Sequence, residues 1–201
     1  MAHHTFNSFV FVGISVAAML VMSCAQSPST AMSTENKHID FGSSMVEPWR
    51  SINDGVMGGL SEGEIAWKDT VMLWSGQTSL ENNGGFASIR GPWEHHDLRA
   101  MNRAIIRCRG NGGPFKMTLE TSQRWWMPYA YTSFNPNDDW QDVVIDVEDF
   151  SWSQAQMGDL RNVAPSQELG DVLRIGLMKY DGTAQPFELE VASIHFMSAA
   201  R

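Results

Sequence analysis

The sequence predicts an all-β domain, a sandwich or a barrel built from short strands. Several runs alternate apolar and polar residues with the period of two that a half-buried strand requires. Turns rich in Gly, Pro, Asn and Asp separate these runs, and the main helix candidate, residues 153–160, is short. Periodicity alone therefore favours an all-β sandwich.

The chain begins with a segment that is typical of protein export. Residues 6–22 are almost entirely apolar or small, but the run is short and close to the terminus for a membrane span. Ser23-Cys24 resembles the end of a bacterial lipobox, in which the cysteine is lipidated and becomes the mature N-terminus. Met22 and a leading segment without Lys or Arg depart from that pattern, so an ordinary cleaved signal and an uncleaved anchor remain open. Ala25 after the cysteine favours outer-membrane sorting in a diderm host.

These features predict three parts: a leader over residues 1–24, a Ser/Thr-rich flexible tether over 25–37, and one domain over 38–201. We expect an exported protein of the cell envelope, a periplasm-facing lipoprotein of the outer membrane. Membrane attachment is expected through the N-terminal lipid or leader.

Charge and cysteine content exclude some functions. The net charge is −9 and no run of Lys or Arg occurs, so nucleic-acid binding lacks its electrostatic footprint. If Cys24 carries lipid, Cys108 is alone, on one strand face with Ala104 and Ile106. This pattern predicts a buried thiol that packs as a small apolar side chain.

Two glycine-rich stretches dominate the middle of the chain: residues 53–61 (NDGVMGGLS) and 82–90 (NNGGFASIR). Each contains a Gly-Gly pair, which marks a sharp backbone corner. Neither fits the phosphate-binding P-loop or the dinucleotide fingerprint, because the lysine and the glycine spacing are missing. We therefore expect two corners, joined by strands within residues 64–80, that shape whatever surface this protein uses for recognition.

Three strands and a bulge are predicted further along. Residues 115–121, 143–147 and 173–177 alternate apolar and polar side chains. In the last strand Phe187, Leu189 and Val191 face one way, and Ile194 and Phe196 then take over that face. The change of parity requires one extra residue, so a β-bulge is expected near residues 192–193.

The two glycine stretches also carry a family resemblance. Trp49-x-x-x-Asn53-Asp54-Gly55-Val56-Met57-Gly58-Gly59-x-Ser61 and residues 81–90 (ENNGGFASIR) resemble the signature of the complex I intermediate-associated protein 30 family. Residues 140–143, 149–150 and 175–178 resemble its later blocks, so the likeness spans residues 39–196.

The resemblance implies a galactose-binding-like jelly-roll sandwich without a cofactor. It also implies a non-catalytic assembly factor or chaperone-like protein, by analogy with the mitochondrial member that helps to build respiratory complex I. An exported domain would reach only the exported face of such a complex. A carbohydrate-binding module-like lipoprotein of the cell envelope is therefore the alternative.

The candidate binding residues come from the two corners and an aromatic cluster. They are Asn53, Asp54, Asn83, Arg90, Trp126 and Tyr129. An ion pair between Asp54 and Arg90 is expected to pin the two loops together. An exposed Trp or Tyr beside polar groups is typical of sugar stacking and also of protein interfaces. Trp125 and Trp126 are adjacent, so at most one of them can lie fully in the core.

No catalytic or metal site is predicted. Neither a Ser-His-Asp nor a Cys-His arrangement is apparent. His95 and His96 diverge in an extended chain and have no third ligand at a telling spacing, so we expect them in a solvated loop.

Overall fold

The computed structural model describes Met1 and residues 37–43, 48–153, 160–162 and 169–198. Over these residues the protein consists of β-strands and short 3-10 helices. The strands are β1 (His38–Asp40), β2 (Arg50–Asn53), β3 (Glu62–Lys68), β4 (Val71–Gln77), β5 (Ala87–Arg90), β6 (Met101–Asn111), β7 (Phe115–Glu120), β8 (Tyr129–Phe134), β9 (Gln141–Asp146), β10 (Ser151–Ser153), β11 (Leu160–Asn162), β12 (Arg174–Lys179) and β13 (Pro186–Ser198). The 3-10 helices are η1 (Asp54–Met57), η2 (Glu81–Asn83), η3 (Val147–Asp149) and η4 (Leu169–Asp171).

The strands form two antiparallel sheets, which confirms the predicted all-β sandwich. One sheet has the order β3-β4-β13-β6-β9, and β1 also pairs with β13. The other has the order β11-β10-β8-β7-β12-β5-β2. Apolar side chains from both sheets meet between them, and Trp74 lies with Phe115 and Phe187 at ring-centre distances of 5.8 and 4.8 Å.

The predicted bulge in the last strand is confirmed. Val191 pairs with Cys108 of β6, and Ser193 pairs with Arg107, so Ala192 is the extra residue. On its other edge β13 pairs with β4 as far as Val191 and with β1 from Ser193 onward. The bulge thus marks the point where β13 changes partner, and it returns its apolar side chains to the core.

Cys108 is fully buried on β6, as predicted. Burial raises the pKa of its thiol to about 12, so the side chain packs as a small apolar group.

The leader with Cys24 and nearly all of the predicted tether lie outside the described residues, as does most of the helix candidate at 153–160. Within the described part of the chain, no helix has the length and hydropathy that would let it span a membrane.

Candidate functional site

The first glycine stretch is organised around a buried carboxylate. Asp54, in η1, is fully buried. It accepts hydrogen bonds from the backbone N–H and the hydroxyl of Ser61, at 2.8 and 2.5 Å. It also accepts from the backbone N–H groups of Gly85 and Phe86, at 2.6 and 3.1 Å. One carboxylate therefore joins the two glycine-rich loops, and we call these four residues the Asp54 knot.

The glycines of the two motifs are required by this close approach. A Cβ atom on Gly59 would lie 2.4 Å from Asp54 Oδ1, and one on Gly84 would lie 2.6 Å from Oδ2. The other glycine of each pair has a positive φ, +88° at Gly58 and +134° at Gly85. Each Gly-Gly pair thus combines one backbone corner with one position where only a hydrogen atom fits against the carboxylate.

Hydrogen bonds keep Asp54 ionised in the knot. Burial acts to raise the pKa of Asp54, but the hydrogen bonds from Ser61, Gly85 and Phe86 together hold it below its ordinary value. The expected ion pair with Arg90 is wrong: the Arg90 guanidinium lies 3.4 Å from Glu120 instead. Backbone N–H groups and the Ser61 hydroxyl stabilise the ionised carboxylate of Asp54. Arg90 lies at the opposite end of β5, about 10 Å farther along the strand.

The knotted loops present an exposed apolar surface. Val56, Met57, Leu60 and Leu80 are 75%, 64%, 53% and 49% exposed. The side-chain amide of Asn82 donates to the carbonyl of Gly58 at 3.1 Å and adds a second tie between the loops. We call the four exposed side chains the apolar tip.

The outward side of the seven-stranded sheet forms a second surface, which we call the open face. Strand alternation places Ala87 and Ile89 in the core and turns Arg90 outward. The same alternation, read through the strand register, defines the open face by Arg50, Arg90, Lys116, Glu120, Tyr129, Tyr131 and Arg174.

Glu120 is the centre of an ion network on this face. It accepts two hydrogen bonds from Arg174, at 2.6 and 3.2 Å, and it also lies beside Arg90. The Arg174 guanidinium stacks 3.7 Å from the ring centre of Trp93. Burial lowers the pKa of Arg90, Glu120 opposes that effect, and Arg174 adds to it.

Tyrosine rings lie among these charges. The ammonium group of Lys116 lies 4.7 Å from the ring centre of Tyr131 and 4.9 Å from that of Tyr180. The ring centres of Tyr129 and Tyr131 lie 6.2 Å apart. Burial raises the pKa of Tyr129, while a hydrogen bond with Ser153 and the charge of Arg90 oppose that effect. Tyr129 is therefore a neutral hydrogen-bonding group near Arg90.

The predicted binding residues fall into two places instead of one. Asn53, whose side chain donates to the carbonyl of Gly63 at 3.2 Å, lies with Asp54 at the knot. Asn83 is exposed there, with a φ of 59°. Arg90 lies on the open face, three residues along β5 from Ala87, the partner of Asn53. Tyr129 lies on the same face, two residues beyond the level of Arg90 in the strand register.

Trp126 lies in the loop that precedes β8 and is 44% exposed. Trp125 packs edge-on against it at 5.8 Å and is 62% exposed, so neither indole is in the core.

Sequence reasoning did not assign Lys116, Glu120, Arg174 or Tyr131 to the binding site. A usable signal existed for the first two, since they alternate with Phe115, Met117 and Leu119 in the printed sequence. Their association with Arg174 and Tyr131 depends on strand order, which the alternation does not contain.

His96 also differs from its prediction, because it is buried while His95 is exposed as expected. It lines a cleft of about 610 Å³ with Trp49, Trp93 and Glu94, and its Nδ1 has no hydrogen-bond partner within the described residues. Burial lowers the pKa of His96 to about 4, so its ring is neutral at physiological pH. Nowhere in the described residues do three or more metal-ligating side chains cluster.

Comparison with known proteins identifies similar sequences and folds. The sequence pattern of the family described as Complex I intermediate-associated protein 30 matches residues 39–191. No curated protein matches the chain at a significant level.

Similar solved structures include the family 11 carbohydrate-binding module of the cellulosomal cellulase Lic26A-Cel5E of Clostridium thermocellum. It is 14% identical with a TM-score of 0.59, over 83% of this chain and 96% of that one. The Clostridium thermocellum module in complex with a beta-1,3-1,4-mixed-linked tetrasaccharide is 15% identical with a TM-score of 0.57, over 83% and 97%. These likenesses establish a shared jelly-roll sandwich fold.

Proposed function

The chain belongs to the complex I intermediate-associated protein 30 family, and from that membership we propose that it is a non-catalytic, assembly-factor or chaperone-like binding domain. Its partner is a protein subunit of a membrane complex of the respiratory complex I type. The apolar tip supports this proposal, because it exposes four large apolar side chains together on loops that the family signature builds.

The physics of the tip favours a protein partner. Clustered apolar side chains on a soluble domain mark interaction surfaces, and buried apolar anchors dominate interface energies. The Asp54 knot fixes the loops before binding, so little conformational entropy is lost when a partner covers them. Val56 and Met57 belong to the resemblance motif, and Leu60 occupies the position that the motif leaves open.

A binding role also agrees with the state of the reactive side chains. Asp54 is saturated by hydrogen-bond donors, and Cys108 is a buried thiol whose pKa is about 12. Neither group is available as a nucleophile or general base.

In-cell crosslinking followed by affinity purification and mass spectrometry tests the proposal. The full-length protein is expected to capture recurrent subunits of a membrane complex, and Met57→Ser with Leu60→Ser is expected to lose most of that capture. Val144→Ser is the matched control, because Val144 is 53% exposed on β9, which ends the sheet β3-β4-β13-β6-β9. Equal capture by the tip variant and the wild type would reject the tip as the docking surface.

A second candidate function is glycan binding at the open face. Tyr129 and Tyr131 beside Arg90 supply ring faces and hydrogen-bonding groups together, which is how proteins hold sugars. The shared fold with carbohydrate-binding modules, one of them solved with a bound tetrasaccharide, supports this candidate.

Thermal shift and calorimetry with mixed-linked glucan and other oligosaccharides test the glycan candidate. Binding is expected to weaken in Tyr129→Ala and in Trp126→Ala, and to persist in Trp67→Ala, whose indole is 52% exposed on the other sheet. If no oligosaccharide in the panel shifts the melting temperature, the candidate is rejected.

The leader supports placement of the domain outside the cytoplasm, as a lipoprotein of the cell envelope. In that setting, an assembly role concerns the exported face of a membrane complex. Metabolic labelling with a fatty acid is expected to mark the wild type and to fail for Cys24→Ala. Labelling of both proteins would refute lipidation at Cys24.

A further inference from the structure

The open face is cationic although the protein is acidic. The chain has 23 acidic residues and 14 Lys and Arg residues, a net charge of −9. The outward positions of four adjacent strands carry four cations and one carboxylate: Arg50, Arg90, Arg174 and Lys116 with Glu120. The local charge is thus opposite in sign to that of the whole chain.

The outward cations of the other sheet are arranged differently. Each outward arginine of β6 lies beside a carboxylate: Arg103 by Asp146 at 2.9 Å, Arg107 by Asp142 at 3.4 Å, and Arg109 by Glu190 at 2.9 Å. Glu190 also lies 3.6 Å from Lys68. Each of these four cations is therefore ion-paired with a carboxylate of the same sheet, and opposite-charge pairs of this kind stabilise a sheet surface.

The open face lacks this balance. Glu120 forms ion pairs with both Arg90 and Arg174, whose side chains are only 20% and 12% exposed. Across the described residues, no carboxylate forms an ion pair with Arg50 or Lys116. Asp181 acts on Lys116 at longer range, but it is bound to the buried ammonium group of Lys179 at 2.5 Å. Among the described residues of this face, cations therefore outnumber the carboxylates that pair with them.

The aromatic rings indicate the rest of the ligand. Tyr129, Tyr131 and Tyr180 lie between or beside the cations, and ring faces of this kind pack against the C–H faces of sugars. From β2 to β7 the cations span three inter-strand spacings, about 14 Å, a length that several linked sugar rings cover.

We propose that the open face binds an acidic glycan, a chain of sugars that carry carboxylate groups. This inference rests on the glycan-binding candidate above and specifies its ligand class. A uronate carboxylate completes the shared network by giving Arg90 its own partner, which leaves Glu120 to Arg174. Arginine suits this role because its planar fork holds a carboxylate through two parallel hydrogen bonds.

A matched pair of probes tests the proposal: hexagalacturonate and the same hexasaccharide after chemical reduction of its carboxyl groups. Isothermal titration calorimetry on the purified full-length protein is expected to show at least about tenfold tighter binding of the acidic form, because ion pairs at half-buried sites strengthen association. The advantage is expected to shrink as salt is raised to about 1 M, where screening shortens the electrostatic range.

Single-charge variants localise the effect. Arg50→Gln and Arg90→Gln are each expected to lower affinity for hexagalacturonate several-fold and to leave the reduced hexasaccharide unchanged. Arg50 is exposed, so its variant keeps the test valid if Arg90→Gln disturbs folding. Arg107→Gln removes the same charge from a balanced pair on the other sheet and is expected to bind like the wild type.

The outcomes separate this inference from the function on which it rests. Equal affinity for the two hexasaccharides would overturn the acidic preference and leave glycan binding standing. Absence of binding to both would reject glycan binding as well. Equal or tighter binding of a hexaglutamate peptide would show that charge alone is recognised, which also overturns the glycan proposal.

Discussion

Asp54→Asn tests whether one buried carboxylate holds the two motif loops. The substitution keeps the size of the side chain and removes its charge. If the remaining oxygen takes the position of Oδ2, it still faces Ser61 Oγ, Gly85 N and Phe86 N. The new amide group then faces the backbone N–H of Ser61, which donates to Oδ1 in the wild type.

The cost follows from these four contacts. Each of three hydrogen bonds loses its charge assistance, about 1 kcal/mol each, and the fourth donor is left unsatisfied at about 1–3 kcal/mol. Relaxation of the loops into water reduces the sum, so we expect a loss of about 3–4 kcal/mol. For a domain of this size, that loss lowers the melting temperature by about 10 °C.

Denaturant unfolding and thermal melting at neutral pH measure this loss, with Asp142→Asn as the matched control. Asp142 is 59% exposed at its side chain and is paired only with Arg107, so its substitution is expected to cost less than about 0.5 kcal/mol. The folded pKa of Asp54 lies below its ordinary value of 3.8. The stabilisation is therefore present above pH 3.8 and is lost as the pH falls through the folded pKa. Substitutions of surface residues change the free energy of unfolding by about 0.5 kcal/mol, which corresponds to about 2 °C in melting temperature. If the melting temperatures of Asp54→Asn and Asp142→Asn differ by less than that, Asp54 does not hold the two loops together.

Two other predictions test the knot and the cleft. Gly84→Ala is expected to lower the free energy of unfolding by about 2 kcal/mol or more, because its Cβ would lie 2.6 Å from Asp54 Oδ2. Gly55→Ala is the control and is expected to melt like the wild type, because a Cβ there meets nothing within 4 Å. Equal melting temperatures of the two variants would contradict the steric argument. The pKa of His96 in the folded protein is about 4, below its ordinary value of 6.5. The unfolded chain therefore binds this proton at higher pH than the folded protein does. The free energy of unfolding is expected to fall by up to about 3 kcal/mol as the pH drops from 6.5 to 4. A His96→Leu variant is expected to show a flatter stability profile over that range, and an unchanged profile would count against the buried neutral ring.

The fold was largely predictable because strand patterns are local. Alternation in residues 115–121 gives β7, and the change of parity after Val191 gives the bulge, without knowledge of any partner strand. The free, buried Cys108 follows from the same local argument. A period-two pattern states which side chains face the core, and that information resides in consecutive residues.

The candidate site was only half predictable because its contacts are set by strand order. The two glycine stretches were correctly expected to form special corners, yet the ion pair between Asp54 and Arg90 was wrong. Opposite charges in two motifs suggest an ion pair, but the Asp54 carboxylate instead accepts hydrogen bonds from three backbone N–H groups and one hydroxyl. The partner of Arg90 is Glu120 of β7, a strand that β12 separates from β5.

The two proposed ligands use different surfaces of the domain. The Asp54 knot uses Asp54, Ser61 and the two Gly-Gly pairs of the motif for backbone geometry, so these residues set the shape of the loops. The exposed side chains of the apolar tip supply the contact surface. The open face uses other residues, on strands whose order comes from the jelly-roll fold. Arg90 is the link, since it closes the second motif and yet extends from the sheet about 10 Å from the knot. The protein partner proposed at the apolar tip and the acidic glycan proposed at the open face therefore depend on separate side chains, so each proposal is tested at its own surface.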